Sequence, residues 1–390
     1  MSASVIDEYN TLIQQEDFSQ LSRRLLDLSV EHTLGTELEH GIYELRRAFL
    51  NTDHSQALKD KATAIISSLG LLSIDEHASS EYQSVACKAT QVSKRFTSGR
   101  SPFNLQPVDV TLRFGEITGI VGENGNGKTT LLRILAGELA SDTGQIVYPG
   151  LHASETDWYK VKNRFVFIPQ RIPRWYGTLL DNLRFFASIH GITGEENNRQ
   201  IEYILFRLGL DKFRDLRWSE ISSGYRLRFE LAKAMMWRPR VILLDEPLAN
   251  LDINAQQLFL QDLRFFAHSK RFPLSIILSS QQLHEVESVS DNIIFIKQGK
   301  TIYSGQQKDF ATDRAHNTFE LAGAFKRDDL LLLFAGTEIR IEDSGTNLVV
   351  TVPVTLSSEQ FLKELLNHSF SLSYFRDIST STRKLFHRDI

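Results

Sequence analysis

The sequence predicts an α/β core on a mixed sheet, with an all-helical region before it and a small α+β region after it. Three observations carry that prediction. Short β-rich segments (VACKATQVSKRF, PVDVTLRFG, ITGIVG) alternate with helical ones from about residue 84 to residue 304, the pattern of a layered α/β fold. A strand at 117–121 runs into GENGNGKT and then into a helix with Leu131, Leu132 and Leu135 on its apolar face. VILLDEP (241–247) is an unbroken apolar run ending in two acids, as expected of a strand covered on both faces of a parallel sheet.

The flanking regions are read from periodicity. Leu38, Ile42, Leu45 and Phe49 recur at helical spacing, and Leu58, Ala62, Ile65 and Leu69 repeat it, so each set lies on one face. Segments around 6–13 and 18–28 behave alike. Residues 1–80 therefore read as four short helices packed as hairpins, ending near the Ser-rich stretch 77–84. No chemistry-bearing pattern occurs there; a helical adaptor and a plain structural extension both fit. Residues 306–390 read as a helical start, strands at 338–342 and 348–354, a helix at 357–367 and a strand at 370–376.

Bulk properties narrow the function classes. A chain of 390 residues has room for two or three domains. Lys and Arg number 44 against 48 Asp and Glu, a formal net charge of −4, so no nucleic-acid partner is expected. The single cysteine, Cys87, excludes an intramolecular disulfide framework and fits a reducing compartment. The eleven histidines show no metal-ligand spacing. The start MSASVIDEYNTLIQQ lacks the basic and apolar stretches of a secretory signal, and no run approaches the roughly 20 apolar residues that cross a bilayer. A soluble chain, able to sit against a membrane protein, is expected.

GENGNGKT satisfies G-x-x-x-x-G-K-T through Gly122, Gly127, Lys128 and Thr129. Glycines are needed because the loop turns its N–H groups inward around phosphates, where a Cβ would obstruct the approach. Lys128 neutralises β/γ-phosphates and Thr129 supplies a hydroxyl to Mg²⁺. Asp245, at the carboxyl end of the apolar strand, reaches the Mg²⁺ shell. Glu246 is placed to polarise a water aimed at the γ-phosphate. A further stretch, ISSGYRLRFELA (221–232), puts small polar residues before a helix. Such a helix start is either an ordinary N-cap or an anion site, since its first N–H groups lack partners.

The order of these elements is specific. Phosphate loop, FIPQ (167–170), SSGYR (222–226), LLDEP (243–247) and ANLD (249–252) together resemble the ATP-binding subunit of ATP-binding cassette (ABC) transporters, over about residues 85–305. The resemblance implies a P-loop NTPase ABC cassette, a mixed sheet with a helical insert, between regions 1–80 and 306–390. It implies ATP and Mg²⁺ as ligands, with Asn124, Gly125 and Thr130 joining the loop residues already named. ISSGY is similar to the family's Leu-Ser-Gly-Gly-Gln signature, so Ser222, Ser223 and Gly224 would contact the γ-phosphate of ATP held by a second subunit, head to tail. Gln170 matches the glutamine that links the nucleotide site to the membrane partner. It joins Thr129 and Asp245 at the metal and Glu246 in catalysis. Asp252 matches the acidic residue at the dimer seam. Phe96 falls where an aromatic ring stacks on adenine, or else is a strand-end core residue.

Two departures stand out. Ser223 and Tyr225 replace a Gly and the Gln of the usual signature. Where the family has a histidine after the strand SIILSS (275–280), counting back from Asp291 reaches Gln281, which donates a hydrogen bond but cannot become an imidazolium. His284 lies about one helical turn further on, exposed. Because Lys128, Thr129, Asp245 and Glu246 are all present, a working enzyme is expected, with Gln281 in the catalytic set.

The insert RIPRWYGTLLDNLRFFASIHGIT resembles the type-2 ABC exporter branch, where this segment receives a short helix of the membrane subunit. Arg174, Trp175 and Tyr176 either line that groove or, for the two aromatics, pack inside the insert. The resemblance thus implies an ATP-hydrolysing subunit that dimerises on ATP and drives a membrane permease, export-type, on the cytoplasmic face of the membrane. Its second ABC ATPase subunit would be a copy or a relative. A weakly hydrolysing nucleotide sensor is the alternative that Gln281, Ser223 and Tyr225 keep open. A ribosome-associated ABC protein would usually carry two cassettes, and one phosphate loop occurs here.

Overall fold

Four amphipathic helices lead the chain: α1 (Ala3–Gln14), α2 (Phe18–Glu31), α3 (Thr36–Asn51) and α4 (Gln56–Gly70). The computed structural model describes residues 3–32, 34, 36–51, 56–71, 79–97, 102–151, 158–269, 272–307, 309, 316–344 and 346–379. The predicted faces meet: Ile42, Leu45, Leu58, Ala62, Ile65 and Leu69 are buried together with Leu21, Leu25 and Leu26, and Leu38 and Phe49 pack against them. Asp17 starts α2 by accepting the Gln20 amide at 2.9 Å, relieving one orphan N–H of the first turn. Of the Ser-rich stretch 77–84, residues 77 and 78 lie outside the described residues.

The middle of the chain begins with β1 (Val85–Phe96), β2 (Phe103–Arg113), β3 (Ile117–Val121) and α5 (Lys128–Leu135). Next come β4 (Thr143–Val147), α6 (Trp158–Arg164), β5 (Phe165–Ile168), α7 (Leu179–Ile189) and α8 (Gly194–Arg207). The second half holds α9 (Ser223–Met235), β6 (Val241–Leu244), α10 (Ile253–Ala267) and β7 (Ser275–Ser280). It closes with α11 (Leu283–Glu287), β8 (Asn292–Lys297) and β9 (Lys300–Gln306).

These strands form a six-stranded sheet of order β5-β6-β7-β3-β8-β9 and a three-stranded antiparallel sheet, β2-β1-β4. In the larger sheet β5, β6, β7, β3 and β8 run parallel and only β9 is antiparallel. It is the mixed sheet expected from sequence. β3, β6 and β7 are buried along their whole lengths, which is why their sequences are continuous apolar or small runs rather than alternating ones. One apolar cluster lies between this sheet and the helices α7–α10; a second joins it to the three-stranded sheet and α5. Among the described residues, no helix is long and apolar enough to cross a membrane.

The last region corrects one expectation. The helical start is not observed at 316–323, which form a strand, β10 (His316–Gly323). Residues 308 and 310–315 lie outside the described residues. Phe319 and Leu321 point into the core at period two, and β10 pairs on both edges, so pairing and burial override the helix reading. Beyond it lie α12 (Arg327–Leu333), β11 (Arg340–Ser344), β12 (Asn347–Pro353), α13 (Ser358–Asn367) and β13 (Leu372–Asp377). The sheet order β11-β12-β10-β13, antiparallel throughout, makes this a β-α-β-β-α-β unit of the ferredoxin-like kind.

Candidate functional site

Parallel sheets gather loops at the carboxyl ends of their strands, and four such ends converge here. Val121 of β3 is in register with Ser280 of β7, and Leu244 of β6 lies between Ile168 of β5 and Leu278 of β7. Just beyond these ends come Gly122–Thr129, Gln281, Asp245–Glu246 and Gln170. Sequence positions separated by more than a hundred residues are thereby placed on one rim.

The loop after β3 has the geometry its glycines permit. A Cβ on Gly122 would come within 2.3 Å of the Ile296 carbonyl oxygen, so only glycine fits. Gly127 sits at φ +102° as the residue before α5, in the left-handed region, and no side chain caps the helix start. The first N–H groups of α5 therefore remain available to an anion. Asn126 ties the loop to the neighbouring turn, its Oδ1 accepting the Gln298 amide at 3.0 Å.

The Lys128 ammonium is buried at the centre of the rim. It donates to the carbonyls of Gly122 at 2.6 Å and Glu123 at 3.1 Å, and pairs with Glu246 Oε1 at 2.9 Å. Thr129 Oγ1 donates to Asp245 Oδ2 at 2.8 Å. On the other side, Gln281 Nε2 donates to Glu246 Oε2 at 2.7 Å. Glu246 has φ +47°, a left-handed conformation costing a non-glycine residue about 1–3 kcal/mol, the kind of strain that clusters at functional sites.

Ser279 escaped the sequence reading. Its hydroxyl donates to Asp245 Oδ1 at 2.8 Å and accepts the Glu246 amide at 2.9 Å, so one buried serine fixes both acids. The signal available was a hydroxyl inside the otherwise apolar SIILSS run, where a buried polar group must have partners. Ser279→Ala leaves the Glu246 amide and one Asp245 oxygen unsatisfied. It is expected to cost about 1–3 kcal/mol in denaturant unfolding and to slow any chemistry requiring Asp245 and Glu246 in register.

The other predicted positions spread over the rim and the insert. Gln170 lines a cleft with Asp245, Glu246, Asn250, Ser223 and Arg226. Asn124, Gly125 and Thr130 lie on or just behind the loop after β3, Gly125 at φ +80°. Phe96 is exposed at the end of β1, its ring 6.5 Å from that of Phe103, which itself touches the loop at Gly127. The core reading of Phe96 is thereby set aside. His284 is exposed on α11, as expected, and the donor reaching Glu246 is Gln281.

At the start of α9, Ser222 is the N-cap, its side chain accepting the Tyr225 amide. The Ser223 hydroxyl donates to the Asn250 carbonyl at 2.9 Å, while the Tyr225 ring turns onto Phe213, 4.1 Å between centroids. Among the described residues, no hydrogen bond joins Ser222 or Gly224 to the phosphate loop of their own chain. Asp252 caps α10, accepting the Ala255 amide at 2.9 Å. In the insert, Trp175 packs inside: it stacks on Trp218 at 4.8 Å and donates to Glu230 at 2.6 Å. Its place as a groove residue is not upheld. Tyr176 is 81% exposed, with the Arg174 guanidinium over its ring.

The cradle fits a nucleoside triphosphate with Mg²⁺. A buried ammonium, a glycine-lined turn and an uncapped helix start suit phosphates, and the Thr129 hydroxyl beside the Asp245 carboxylate is an all-oxygen donor pair suited to a hard cation. Comparisons with known proteins agree on the nucleotide. Residues 105–249 match the family model described as ABC transporter. Over 226 residues the chain is 31% identical to the ABC transporter ATP-binding protein NatA of Bacillus subtilis, covering 55% of this chain and 87% of that one. It is 30% identical over 230 residues to a probable sulfate/thiosulfate import ATP-binding protein, CysA, of Chlorella vulgaris, covering 58% and 94%. The fold is shared with cbiO1 from Clostridium perfringens, part of the ABC transporter complex cbiONQ, at TM-score 0.53 and 22% identity over 59% of this chain and 91% of that one.

Proposed function

The chain belongs to the family of ABC transporter ATP-binding proteins, and on that premise we propose that it hydrolyses ATP between two such subunits to drive an export-type membrane permease. It is organised as a helical domain (1–80), the cassette (85–305) and an α+β domain (306–390). The observation that carries the reading is the convergence of Lys128, Thr129, Asp245, Glu246 and Gln281 on one rim, with Ser222 and Ser223 at the α9 start left exposed. The export assignment is supported by the likeness of the insert to the exporter branch and by the α+β region after the cassette.

In this reading the loop amides from Gly122 to Thr130, with Asn124 and Gly125, wrap the phosphates, and Lys128 exchanges its Glu246 contact for phosphate oxygens. Phe96 stacks on the base. Thr129, Asp245 and Gln170 would hold Mg²⁺, which would supply neutralisation of the phosphate charge. Glu246, released from Lys128, accepts a proton from the attacking water, and Gln281 holds its second oxygen in place. Ser222, Ser223 and Gly224 of the opposite subunit present a helix start to the γ-phosphate, completing the site. Hydrolysis removes the group that both subunits grip, so the pair reopens, and that cycle moves the permease on the cytoplasmic face of the membrane.

Gly224 offers a clean test. A Cβ there would meet Ala255 and Leu251 at 3.5 Å, ordinary contact, so a side chain is tolerated within the subunit. Gly224→Asp is expected to leave ATP binding by a single subunit within about twofold but to lower turnover by about 10²-fold, because a carboxylate would face phosphate across the seam. Unchanged turnover would remove the two-subunit site. The nucleotide-sensor reading is favoured by one observation, the use of the Gln281 amide where a titratable ring is usual; steady-state hydrolysis with and without the permease separates the two.

A further inference from the structure

A buried ionic cluster joins the N-terminal helices to the signature helix. Asp262 of α10 is fully buried and accepts from three arginines on three other helices. Arg207 of α8 approaches its Oδ1 at 2.8 Å, Arg23 of α2 at 3.3 Å, and Arg228 of α9 lies 3.3 Å from Oδ2. Asp27 of α2 accepts from Arg207 Nε at 2.8 and 2.9 Å and from the Tyr203 hydroxyl at 2.7 Å. Arg46 of α3 donates to the Phe206 carbonyl at 3.0 Å, at the last turn of α8, and to Ser22 at 3.2 Å. Phe206 is itself buried in the core of the four-helix bundle.

Three guanidiniums thus meet two buried carboxylates, and a fourth, Arg46, lies beside them on a carbonyl and a hydroxyl. Burial works against the Arg207 charge, yet Asp27 and Asp262 hold the group above its ordinary value. Burial, then Arg23 and Arg207, push Arg46 down to about 9. Such an excess of one sign is a poor way to hold two surfaces together, since an apolar contact of the same size would serve better. What fixed guanidinium–carboxylate forks do provide is orientation. The path is continuous: Asp27 to Arg207, Arg207 to Asp262, Asp262 to Arg228, and Arg228 lies within two turns of Ser222 on α9.

We propose that the N-terminal bundle is a positioning element for the signature helix: Arg23 and Asp27 set the orientation in which Ser222 and Gly224 meet the opposing nucleotide. The inference rests on the two-subunit site above. Its test uses the full chain carrying Arg23→Gln with Asp27→Asn, and the milder Arg23→Gln alone. The readouts are kcat and KM for ATP, single-subunit binding of an ATP analogue, ATP-dependent dimerisation in a Glu246→Gln background, and hydrogen exchange of the first α9 turn.

The double variant is expected to lose about tenfold in kcat and in dimerisation while analogue binding stays within about twofold. The α9 amides should exchange faster, and Arg23→Lys should restore part of each loss. Should the double variant fail to fold, Arg23→Gln alone is expected to show the faster α9 exchange. Normal kcat, dimerisation and α9 exchange, with loosening confined to α1–α4, would overturn the proposal. If Gly224→Asp abolishes turnover while the α2 variants do not alter it, only this inference fails; if Gly224→Asp is silent, the two-subunit reading fails first.

Discussion

Glu246→Gln is expected to lower ATP turnover by about 10²- to 10³-fold while nucleotide binding persists and a closed dimer accumulates. The rate falls because an amide cannot take the proton of the attacking water. Binding persists because the rest of the cradle is untouched: Lys128 keeps the carbonyls of Gly122 and Glu123, and Thr129 keeps Asp245. The geometry goes further. Glu246 competes with phosphate for Lys128 across 2.9 Å, so removing its charge frees the ammonium for nucleotide. The variant should therefore bind an ATP analogue at least as tightly as the parent chain. Gln281 constrains the exchange little, since an amide oxygen at 246 still accepts from its Nε2. Single-turnover hydrolysis, analogue titration and sedimentation velocity check the three parts. Unchanged turnover would remove Glu246 from the chemistry.

Much of this site was legible in the sequence because motif and strand boundary coincide. GENGNGKT and VILLDEP each mark a strand together with the residues at its carboxyl end, and a parallel sheet then brings those ends together whatever the chain length between them. Gln281 was found only by counting from Asp291. Asp291 itself is tied to the sheet, its Oδ2 accepting the Ile117 amide at 2.8 Å at the start of β3 beside β7 and β8.

Ser279 was not found, since a serine in a buried strand reveals its partners only in three dimensions. Trp175 stays open in the sequence between groove residue and packed side chain because an exposed and a buried tryptophan look alike in one dimension; Trp218 and Glu230, both distant in sequence, decide for packing. β10 was misread for a related reason. Its register comes from β12 and β13, up to about sixty residues away, and local propensity carries no trace of that pairing. The cluster around Asp262 is the extreme case. Its members come from α2, α3, α8, α9 and α10, and each arginine alone is indistinguishable from a solvated one.

Lys128→Met should show the largest loss of affinity, and for a reason separable from folding. The substitution removes the buried cation that phosphate would engage, an effect of about 2–5 kcal/mol for truncating one side of a hydrogen-bonded charge pair, or about 30-fold and more in Kd. It also strands Glu246, which is mostly buried and, among the described residues, keeps only Gln281 as a donor for its side chain. Breaking a buried pair on one side is costly, and about 3 kcal/mol of lost stability is expected. The two effects part company in the double variant Lys128→Met with Glu246→Gln. There the uncompensated carboxylate is gone, so stability should recover by more than the separate effects add up to, a coupling of at least about 1 kcal/mol for groups in direct contact. ATP affinity should not recover, because no cation has returned to the loop. Denaturant unfolding of the four chains in the cycle measures the first quantity and analogue titration the second. Additive stabilities would show that the 2.9 Å contact carries no coupling, and retained affinity in Lys128→Met would show that the loop amides alone hold the triphosphate.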